Sequence, residues 1–383
     1  MNAPRPPGPK VRDAAIGAAS RMLSLLFALR RASPFPKDPR SILILKPCCV
    51  GDVLLATPLV AALRKQYPEA HIDFAVGPWA QAMVESNPRL NGLLDCGRVG
   101  SGGYGYREYW SLVQRIRERG YQVCFVLDRS PLISLLPFWA GTAQRVGLDS
   151  GGRGFSLTLR VPVRGVKHEA DLYLDTARAI GLSVRAPRLE YYPTEVDRAR
   201  AREWLAPLSG VRPLIALIPG GGVNPGGRTM GKRWPPERFA RVGDRSVEEL
   251  KARVVIIGGR GAEPIANELA RAMHHPPLDP TGQLSWGETG AVLEICDLAI
   301  ANDTGAMHLA VAVGTPVVAI FGPSDPRVYG PLDPRSIALG HGPSGPLPRS
   351  GNPRNRDMTA ILRVSEEEVY QAVQVVWERV RSE

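Results

Sequence analysis

The stretch LAIANDTGAMHLAVAVGTPVVAIF, residues 298–321, decides the fold class of this chain. The apolar run 298–301 predicts a strand, residues 306–313 predict a helix, and 316–321 predict a second strand. Strand, helix and strand in this order form the repeating unit of a parallel sheet covered by helices. Because polar residues directly follow the end of the first strand, the segment between strand and helix is also a candidate ligand site.

The same alternation runs through the rest of the chain. It begins with the buried-strand pattern SILIL at residues 41–45, weakens over 187–213 and restarts with a strand at 214–218. We therefore expect an α/β protein with two Rossmann-like, doubly wound domains that face each other across a cleft. The predicted segments are a basic tail (1–40), a first domain (41–190), a hinge (191–212), a second domain (213–364) and a closing helix (365–383).

Three local patterns refine this outline. Thr57 precedes Pro58 at a predicted helix start, which predicts Thr57 as the N-cap. Residues 330–357 are rich in Pro, Gly, Ser and Arg and predict a long loop. The chain has five cysteines and no CxxC pair, and the adjacent Cys48 and Cys49 are not expected to bond to each other. We expect neither zinc nor a disulfide framework, as in a protein of the reducing cytoplasm.

Composition narrows the possible partners. The chain has 383 residues, 44% of them apolar, which is enough for two sizeable cores. The net charge is +11, but residues 1–40 alone hold eight Lys/Arg against two Asp, so the basic signal lies mostly in a tail. No basic and aromatic interleave typical of a nucleic-acid module occurs, and we expect no nucleic-acid partner. A membrane surface or an anionic substrate suits this charge better. No uncharged apolar run approaches the ~18 residues of a spanning helix, which excludes a polytopic membrane protein.

Residues 11–31 predict a basic amphipathic helix within the tail. Its apolar stripe comprises Val11, Ala15, Ala18, Met22, Leu25, Leu26 and Leu29, with Asp13, Ser20, Ser24 and Arg31 opposite. Two interpretations stay open: the helix lies on a membrane, or it docks on the protein's own surface. The uncharged stretch 22–29 is too short to span, and no small-residue cleavage site follows it, so a signal peptide is not expected.

One candidate site follows the first strand, in the segment KPCCVGD at residues 46–52. Gly51 permits a tight backbone turn, and Asp52 then lies beside the next helix at the cleft. A carboxylate at this place can serve as a general base. The alternative is that Asp52 caps the helix and has no chemical role.

Two more candidate sites lie in the second half. Gly220 and Gly221 follow the strand at 214–218, where glycine lets backbone N–H groups approach an anion, and Lys232 supplies a point charge suited to phosphate. Glu263, at the end of a further glycine-rich junction, can accept hydrogen bonds from ribose hydroxyls. The alternatives are a flexible glycine loop with a solvated lysine, and a glutamate that only favours the helix dipole.

The fourth candidate site is the polar segment of the opening stretch. The predicted helix start near Gly305 offers free N–H groups and a partial positive charge, Thr304 adds a hydroxyl, and His308 lies one turn further on. The alternatives are N-capping by Asp303 alone and a histidine that is merely packed. One half thus offers a carboxylate and the other offers anion-binding loops. This division suits an acceptor in the first domain and a nucleotide-diphosphate donor in the second.

Four of these segments resemble glycosyltransferase family 9, the ADP-heptose:lipopolysaccharide heptosyltransferases. They are KPCCVGDVLLATPLVAALRKQYP (46–68), KRWPPERF (232–239), GGRGAE (258–263) and NDTGAMHLAVAVGTPVVAIFGPSDP (302–326). The resemblance implies the GT-B fold, with a C-terminal helix that crosses back toward the first domain. It also implies an inverting transfer that needs neither a metal nor a cofactor.

The resemblance also implies roles for single residues. Asp52 would be the catalytic base that takes the proton of the acceptor hydroxyl, and Lys232 would neutralise the diphosphate leaving group. The other implied donor contacts are Glu263 to the ribose, Asp303 to the transferred sugar, Thr304 and Gly305 to the phosphates, and His308 in support, with Gly220, Gly221 and Thr229 in the glycine-rich loop.

The expected function is therefore transfer of a sugar, heptose by family default, from an ADP-heptose-like donor to a glycolipid or envelope polysaccharide. We expect a cytoplasmic enzyme, held on the inner membrane surface through residues 11–31. An epimerase-like GT-B enzyme and a catalytically silent nucleotide-sugar-binding protein stay open as alternatives. A nicotinamide-dependent oxidoreductase is disfavoured, because the first half lacks the glycine fingerprint of a dinucleotide site.

Overall fold

A computed structural model of the chain describes residues 34–225, 227–340 and 357–383, together with Ser20, residues 22–24 and Phe27. Most of the amphipathic segment predicted at 11–31 lies outside the described residues, as does the part of the predicted loop at 341–356. The described residues of the N-terminal segment are helical. Among them, Ser20 is buried whereas Met22 is exposed.

The first domain is built on a sheet of six parallel strands, in the order β3-β2-β1-β4-β5-β6. The strands are β1 (Ser41–Leu45), β2 (His71–Val76), β3 (Gly92–Asp95), β4 (Val123–Val126), β5 (Gln144–Asp149) and β6 (Leu159–Pro162). Strand β1 lies in the middle, and its apolar side chains are buried on both faces, as a central parallel strand requires. The predicted parallel sheet is therefore confirmed for this half.

Helices cover both faces of the first sheet. They are α1 (Val50–Leu55), α2 (Thr57–Gln66), α3 (Tyr106–Arg119), α4 (Pro131–Trp139) and α5 (Glu169–Ala179). The prediction that Thr57 is an N-cap is wrong, because Ala56 occupies that position. The Thr57 hydroxyl instead donates to the carbonyl of Leu54 at 2.7 Å, since α1 ends directly before it and leaves that carbonyl available.

The second domain contains a sheet of five parallel strands in the order β10-β7-β11-β12-β13. They are β7 (Leu214–Ile218), β10 (Arg253–Ile256), β11 (Leu298–Asn302), β12 (Val317–Ile320) and β13 (Ile337–Leu339); the short strands β8 (Val223–Asn224) and β9 (Gly227–Arg228) form a separate antiparallel pair. Strand β13 corrects the prediction of a continuous loop over 330–357. It completes the sheet because its backbone pairs with β12 despite the surrounding Pro and Gly residues.

The helices of the second half begin in the connecting segment. They are α6 (Glu195–Leu205), α7 (Pro236–Leu250), α8 (Glu263–Ala272), α9 (Trp286–Ile295), α10 (Gly305–Ala312), α11 (Pro326–Tyr329) and α12 (Glu366–Arg381). Helix α6 packs on α9 of the second domain. Helix α12 packs on α7 and on the second sheet, where Val369, Tyr370 and Val373 are buried. The expectation that α12 crosses back toward the first domain is wrong, because the second domain already covers the apolar face of this helix.

The two domains touch through helices α1 and α10. Glycines make this approach possible on both sides. A Cβ atom at Gly51 would lie 2.7 Å from Cδ2 of His308, and one at Gly305 would lie 2.5 Å from Cγ1 of Val50. The carboxyl ends of β1 and β11, which lead into these two helices, therefore face each other across the contact.

Candidate active site

The first-domain side of the cleft carries a lysine between two carboxylates. Lys46 follows β1, Asp52 lies in the first turn of α1, and Asp128 follows the neighbouring strand β4. The Lys46 Nζ atom lies 3.2 Å from Oδ2 of Asp52 and 3.6 Å from Oδ2 of Asp128. The Asp52 side chain is 31% exposed, whereas that of Lys46 is 9% exposed. The buried Lys46 therefore holds the Asp52 carboxylate in place, and the exposed side of this carboxylate faces the cleft.

Electrostatics keeps Lys46 charged at this place. Burial acts against the ammonium form, but Asp52, Asp128 and Glu169 together raise the pKa of Lys46. A buried cation is tolerated when carboxylate partners offset the cost of its desolvation. The site therefore holds an ammonium group against the candidate base.

Cys48 and Cys49 lie in the turn between Lys46 and α1. The structure joins their sulfur atoms in a disulfide, which corrects the expectation that these two residues do not bond to each other. The peptide bond between these two residues is cis. The three other cysteines are free and buried.

The second-domain side carries a lysine paired with a buried aspartate. The Lys232 Nζ atom donates to Oδ2 of Asp303 at 2.6 Å, and the Ser324 hydroxyl donates to the same oxygen. Burial acts against ionisation of Asp303, but Lys232 and the Ser324 hydrogen bond lower its pKa. The carboxylate is therefore ionised and fixes the lysine at the mouth of the glycine-rich loop.

The three candidate junctions of the second domain lie next to one another. A Cβ atom at Gly221, whose φ is +134°, would lie 3.4 Å from the Cβ of Thr304, and one at Gly220 would lie 3.9 Å from the Cβ of Ala262. Thr229 closes the glycine-rich loop, since its N–H donates to the carbonyl of Gly222 at 2.6 Å. These contacts place the loop against the N-terminus of α10, where unpaired N–H groups favour an anion.

Glu263 lies at the outer end of this group. It is the first residue of α8, and its Oε2 atom accepts the N–H of Gly261 at 2.6 Å. A Cβ atom at Gly282 would lie 2.5 Å from its Oε1 atom. The carboxylate is therefore flanked by two glycine backbones that leave room around it. This geometry is compatible with both sequence interpretations, a ribose contact and a contact with the helix dipole.

His308 lies between the two sides. Its ring is 3% exposed and packs on Gly51 of α1. Burial lowers the pKa of His308 to about 4, and the charges of Asp303 and Asp52 act on the same ring. The imidazole is therefore neutral near pH 7. Among the described residues its buried Nδ1 atom has no hydrogen-bond partner.

A second buried ion pair lies near Asp52. The Arg129 Nη2 atom lies 2.6 Å from Oε2 of Glu169, at the start of α5. Next to it, His168 Nδ1 accepts the N–H of Ala170, so its Nε2 atom carries the proton and donates to the carbonyl of Gly330 at 2.9 Å. Burial lowers the pKa of His168, which keeps the ring neutral. This bond is a further link between the domains.

The sequence interpretation did not single out Lys46, Asp128, Ser324 or Glu169 as functional residues. Asp128 had a detectable signal, because it follows a predicted strand by the rule that located Asp52. Lys46 and Ser324 lie inside segments quoted for the family resemblance. Glu169 carries no local signal, since only the packing of α5 on the first sheet brings it near Asp52.

Two features are absent from the described residues. In the ranges given above, no three His, Cys, Asp or Glu side chains are grouped so that they could hold a metal ion. Within the same part of the chain, every helix is too short or too polar to cross a bilayer.

Two parallel, helix-covered sheets that meet at a cleft form the GT-B fold of one class of glycosyltransferases. The chain belongs to one family of this class, because a model described as "Glycosyltransferase family 9 (heptosyltransferase)" matches residues 109–355. Lipopolysaccharide heptosyltransferase 2 of Escherichia coli (strain K12) is 29% identical over 319 residues, covering 78% of this chain and 87% of that protein.

Solved structures agree with this assignment. The family 9 glycosyltransferase from Veillonella parvula DSM 2008 superposes with a TM-score of 0.75 at 25% identity, covering 91% of this chain and 100% of that one. The E. coli ADP-heptose lps heptosyltransferase II superposes with a TM-score of 0.70 at 22% identity over 89% of this chain and 99% of that one. The chain is therefore a transferase with the fold of these proteins.

Proposed function

We propose that this enzyme transfers heptose from ADP-heptose to a glycolipid of the lipopolysaccharide type. The proposal rests on one observation: the first-domain side of the cleft and the second-domain side, which carry different charged groups, meet at His308. Asp52 and the Lys232–Asp303 pair both act on its ring from opposite domains. The sugar and the acceptor follow the names of the E. coli relative and of the E. coli structural neighbour.

In this mechanism Asp52 takes the proton of the acceptor hydroxyl as its oxygen attacks the anomeric carbon of the donor. A bond forms between that oxygen and the anomeric carbon, while the bond from the anomeric carbon to the diphosphate oxygen breaks. The diphosphate leaves with the electron pair. Because attack and departure occur on opposite faces, the anomeric configuration inverts. Lys46 keeps the Asp52 carboxylate directed from the first domain.

The leaving diphosphate is stabilised from the second domain. Lys232 contributes a full positive charge, and the N-terminus of α10 at Thr304 and Gly305 contributes about half a charge. Gly220, Gly221 and Thr229 shape the loop that lies against it. Of the Asp303 carboxylate, Oδ2 holds Lys232 and Ser324, which leaves Oδ1 for a sugar hydroxyl. We assign the ribose to Glu263 and a supporting contact to His308. Because these groups offset the diphosphate charge, the transfer needs no metal.

The site of action is the cytoplasmic face of the inner membrane, where an acyl-anchored acceptor would be presented. The basic composition of residues 11–31 supports this placement. We propose a peripheral association, with the sugar portion of the acceptor reaching Asp52 from the surface of the bilayer.

The experiment is a nucleotide-sugar panel in which bound ligand and released nucleoside diphosphate are both measured. We expect ADP-heptose to bind and to release ADP only when an acceptor is present, with a product whose anomeric configuration is opposite by NMR. Binding without release would favour the silent binding protein. Conversion of the donor to an epimer in the absence of an acceptor would favour the epimerase.

A further inference from the structure

An unbroken group of aromatic rings covers the outer surface of α3 and α4. We call it the aromatic face, and it consists of Tyr104, Tyr106, Tyr109, Trp110, Phe138 and Trp139, with Leu132 beside them. Neighbouring ring centroids lie 5.0–6.3 Å apart. Several of these side chains are open to solvent: Tyr106 is 78% exposed, Leu132 51% and Trp139 43%.

Helix α4 shows why this surface is unusual. Its sequence, PLISLLPFW, contains no charged residue. Ile133 and Leu136 are buried against the first sheet, but Leu132 and Trp139 point away from it. A contiguous apolar patch on a soluble domain marks a place of interaction. Tyr and Trp, which have an apolar body and a polar edge, suit a surface that is apolar on one side and wet on the other.

The charges around the aromatic face are mostly positive. Helix α3 contains four arginines and two glutamates. Of these, Glu108 is paired with Arg98 at 3.1 Å and Arg119 with Asp73 at 2.7 Å, which leaves three arginines and one glutamate. Arg117 donates to the backbone carbonyl of Trp139 at 2.6 Å, and Arg107 is exposed beside Tyr106. This balance favours a negatively charged partner.

The N-terminal segment arrives at the same place. The ring of Phe27 lies 5.0 Å from that of Phe138 and 5.3 Å from that of Phe155. The 26 residues that precede Phe27 contain four Lys/Arg and one Asp. Phe27 therefore lies at the edge of the aromatic face, and the sequence that precedes it has the basic composition that binds anionic lipid.

The aromatic face also borders the cleft. A Cβ atom at Gly100 would lie 2.6 Å from the Cβ of Pro47, so the loop that leads to Tyr104 rests on the turn beside Lys46. Burial raises the pKa of Tyr104, and the nearby carboxylate of Asp128 raises it further. A surface held at the aromatic face would therefore lie next to the opening that leads to Asp52.

From these observations we propose that the aromatic face docks on an anionic phospholipid bilayer, with its Tyr and Trp rings at the level of the head groups. The docking rests on the proposed function, since it places the cleft where a membrane-held acceptor meets Asp52. It assigns the contact to the folded first domain as well as to residues 11–31.

Vesicle binding by the full chain tests the docking. The variant Tyr106→Ser/Leu132→Ser/Trp139→Ser removes three exposed side chains without touching a buried one. The matched control, Val196→Ser/Val375→Ser, removes exposed apolar side chains from α6 and α12. With vesicles of phosphatidylethanolamine and phosphatidylglycerol, we expect the triple variant to lose about 100-fold in partition coefficient, because three large apolar contacts are removed. The control should bind as the wild type does.

Tryptophan fluorescence supplies a direct contact measurement. Lipids brominated near the head group should quench wild-type fluorescence on binding. Trp139→Phe should remove a large part of that quenching, whereas Trp204→Phe in α6 should leave its extent unchanged. Equal partitioning of the triple variant and the wild type, or quenching that does not depend on Trp139, would overturn the docking. The docking would also be overturned if the wild type formed a dimer that the triple variant loses while vesicle binding stays intact. The aromatic face would then bind a second copy of the chain.

Transfer to a deacylated, water-soluble acceptor separates this proposal from the proposed function. The triple variant should retain that activity while it loses vesicle binding. If the wild type binds vesicles through Trp139 but turns over no donor with any acceptor, the proposed function fails and the docking stands.

Discussion

Replacing Gly51 by alanine should slow sugar transfer without weakening donor binding. The added methyl carbon would lie 2.7 Å from Cδ2 of His308, whereas nonbonded carbons pack at about 3.5–4.0 Å. The contact is therefore short by about 1 Å. The His308 ring is 3% exposed and has little room to withdraw, so α1 must move and carry Asp52 with it. A displacement of about 1 Å at a reacting group costs about 100-fold in rate.

The assay compares kcat for transfer with the Kd for ADP. We expect kcat to fall about 100-fold while the Kd changes little, because the donor loops lie in the other domain. Gly105→Ala is the matched control, since its Cβ would come no closer than 3.9 Å to another side chain and its φ is −91°. In Gly51→Ala/His308→Ala the obstructing ring is gone, so the double variant should be no slower than His308→Ala alone. The reasoning would be refuted if the losses of kcat in the two single variants multiplied in the double variant. It would also be refuted if Gly51→Ala kept the wild-type kcat.

Three further outcomes are expected. Asp52→Asn keeps the shape of the base but removes its function, so transfer should fall by about 10²–10⁴ with ADP binding intact by calorimetry; undiminished turnover would exclude the role. Lys232→Ala should weaken donor binding and slow transfer together, while wild-type activity survives excess EDTA; loss with EDTA and recovery with magnesium or manganese would contradict this. The pKa of His308 is about 4 in the folded chain, against 6.5 for an ordinary histidine. The unfolded chain therefore binds more protons between these values, and stability that is complete above pH 6.5 should fall by up to about 3 kcal/mol toward pH 4. Urea unfolding of the wild type should show this slope, and the slope should be shallower in His308→Gln, where only the lowered pKa of His168 still contributes a histidine term.

The sequence predicted best the strands that are buried on both faces, because such strands have a continuous run of apolar residues. The strands at Ser41–Leu45 and Leu214–Ile218 have the predicted bounds, because a central parallel strand is apolar on both faces. Helix α4 was missed for the opposite reason. Its sequence is apolar nearly all round and contains Pro137 in its interior, so no helical period can be detected. The exposed part of that apolar surface is the aromatic face.

The candidate site was predictable in part, because strand ends are local features and partners are not. Asp52 lies in the first turn of the helix that follows β1 and could be located from the chain alone. That Lys46 also meets Asp128 depends on β4 being the neighbour of β1, although two strands and three α-helices separate β1 from β4 in sequence. The pairing of Ser324 with Asp303 likewise depends on the order of β11 and β12. The pairing of strands in the sheets decides these contacts.

The contact between α1 and α10 limits how the two domains can be recombined. Each helix supplies one glycine and one larger side chain, so Val50 and Gly51 form one half of a fit that Gly305 and His308 complete. A chimera that takes its second domain from a relative must also bring a matching pair at the first-domain positions, or the two halves will not close. Exchange of domains between family members therefore has to carry these four positions as a single unit.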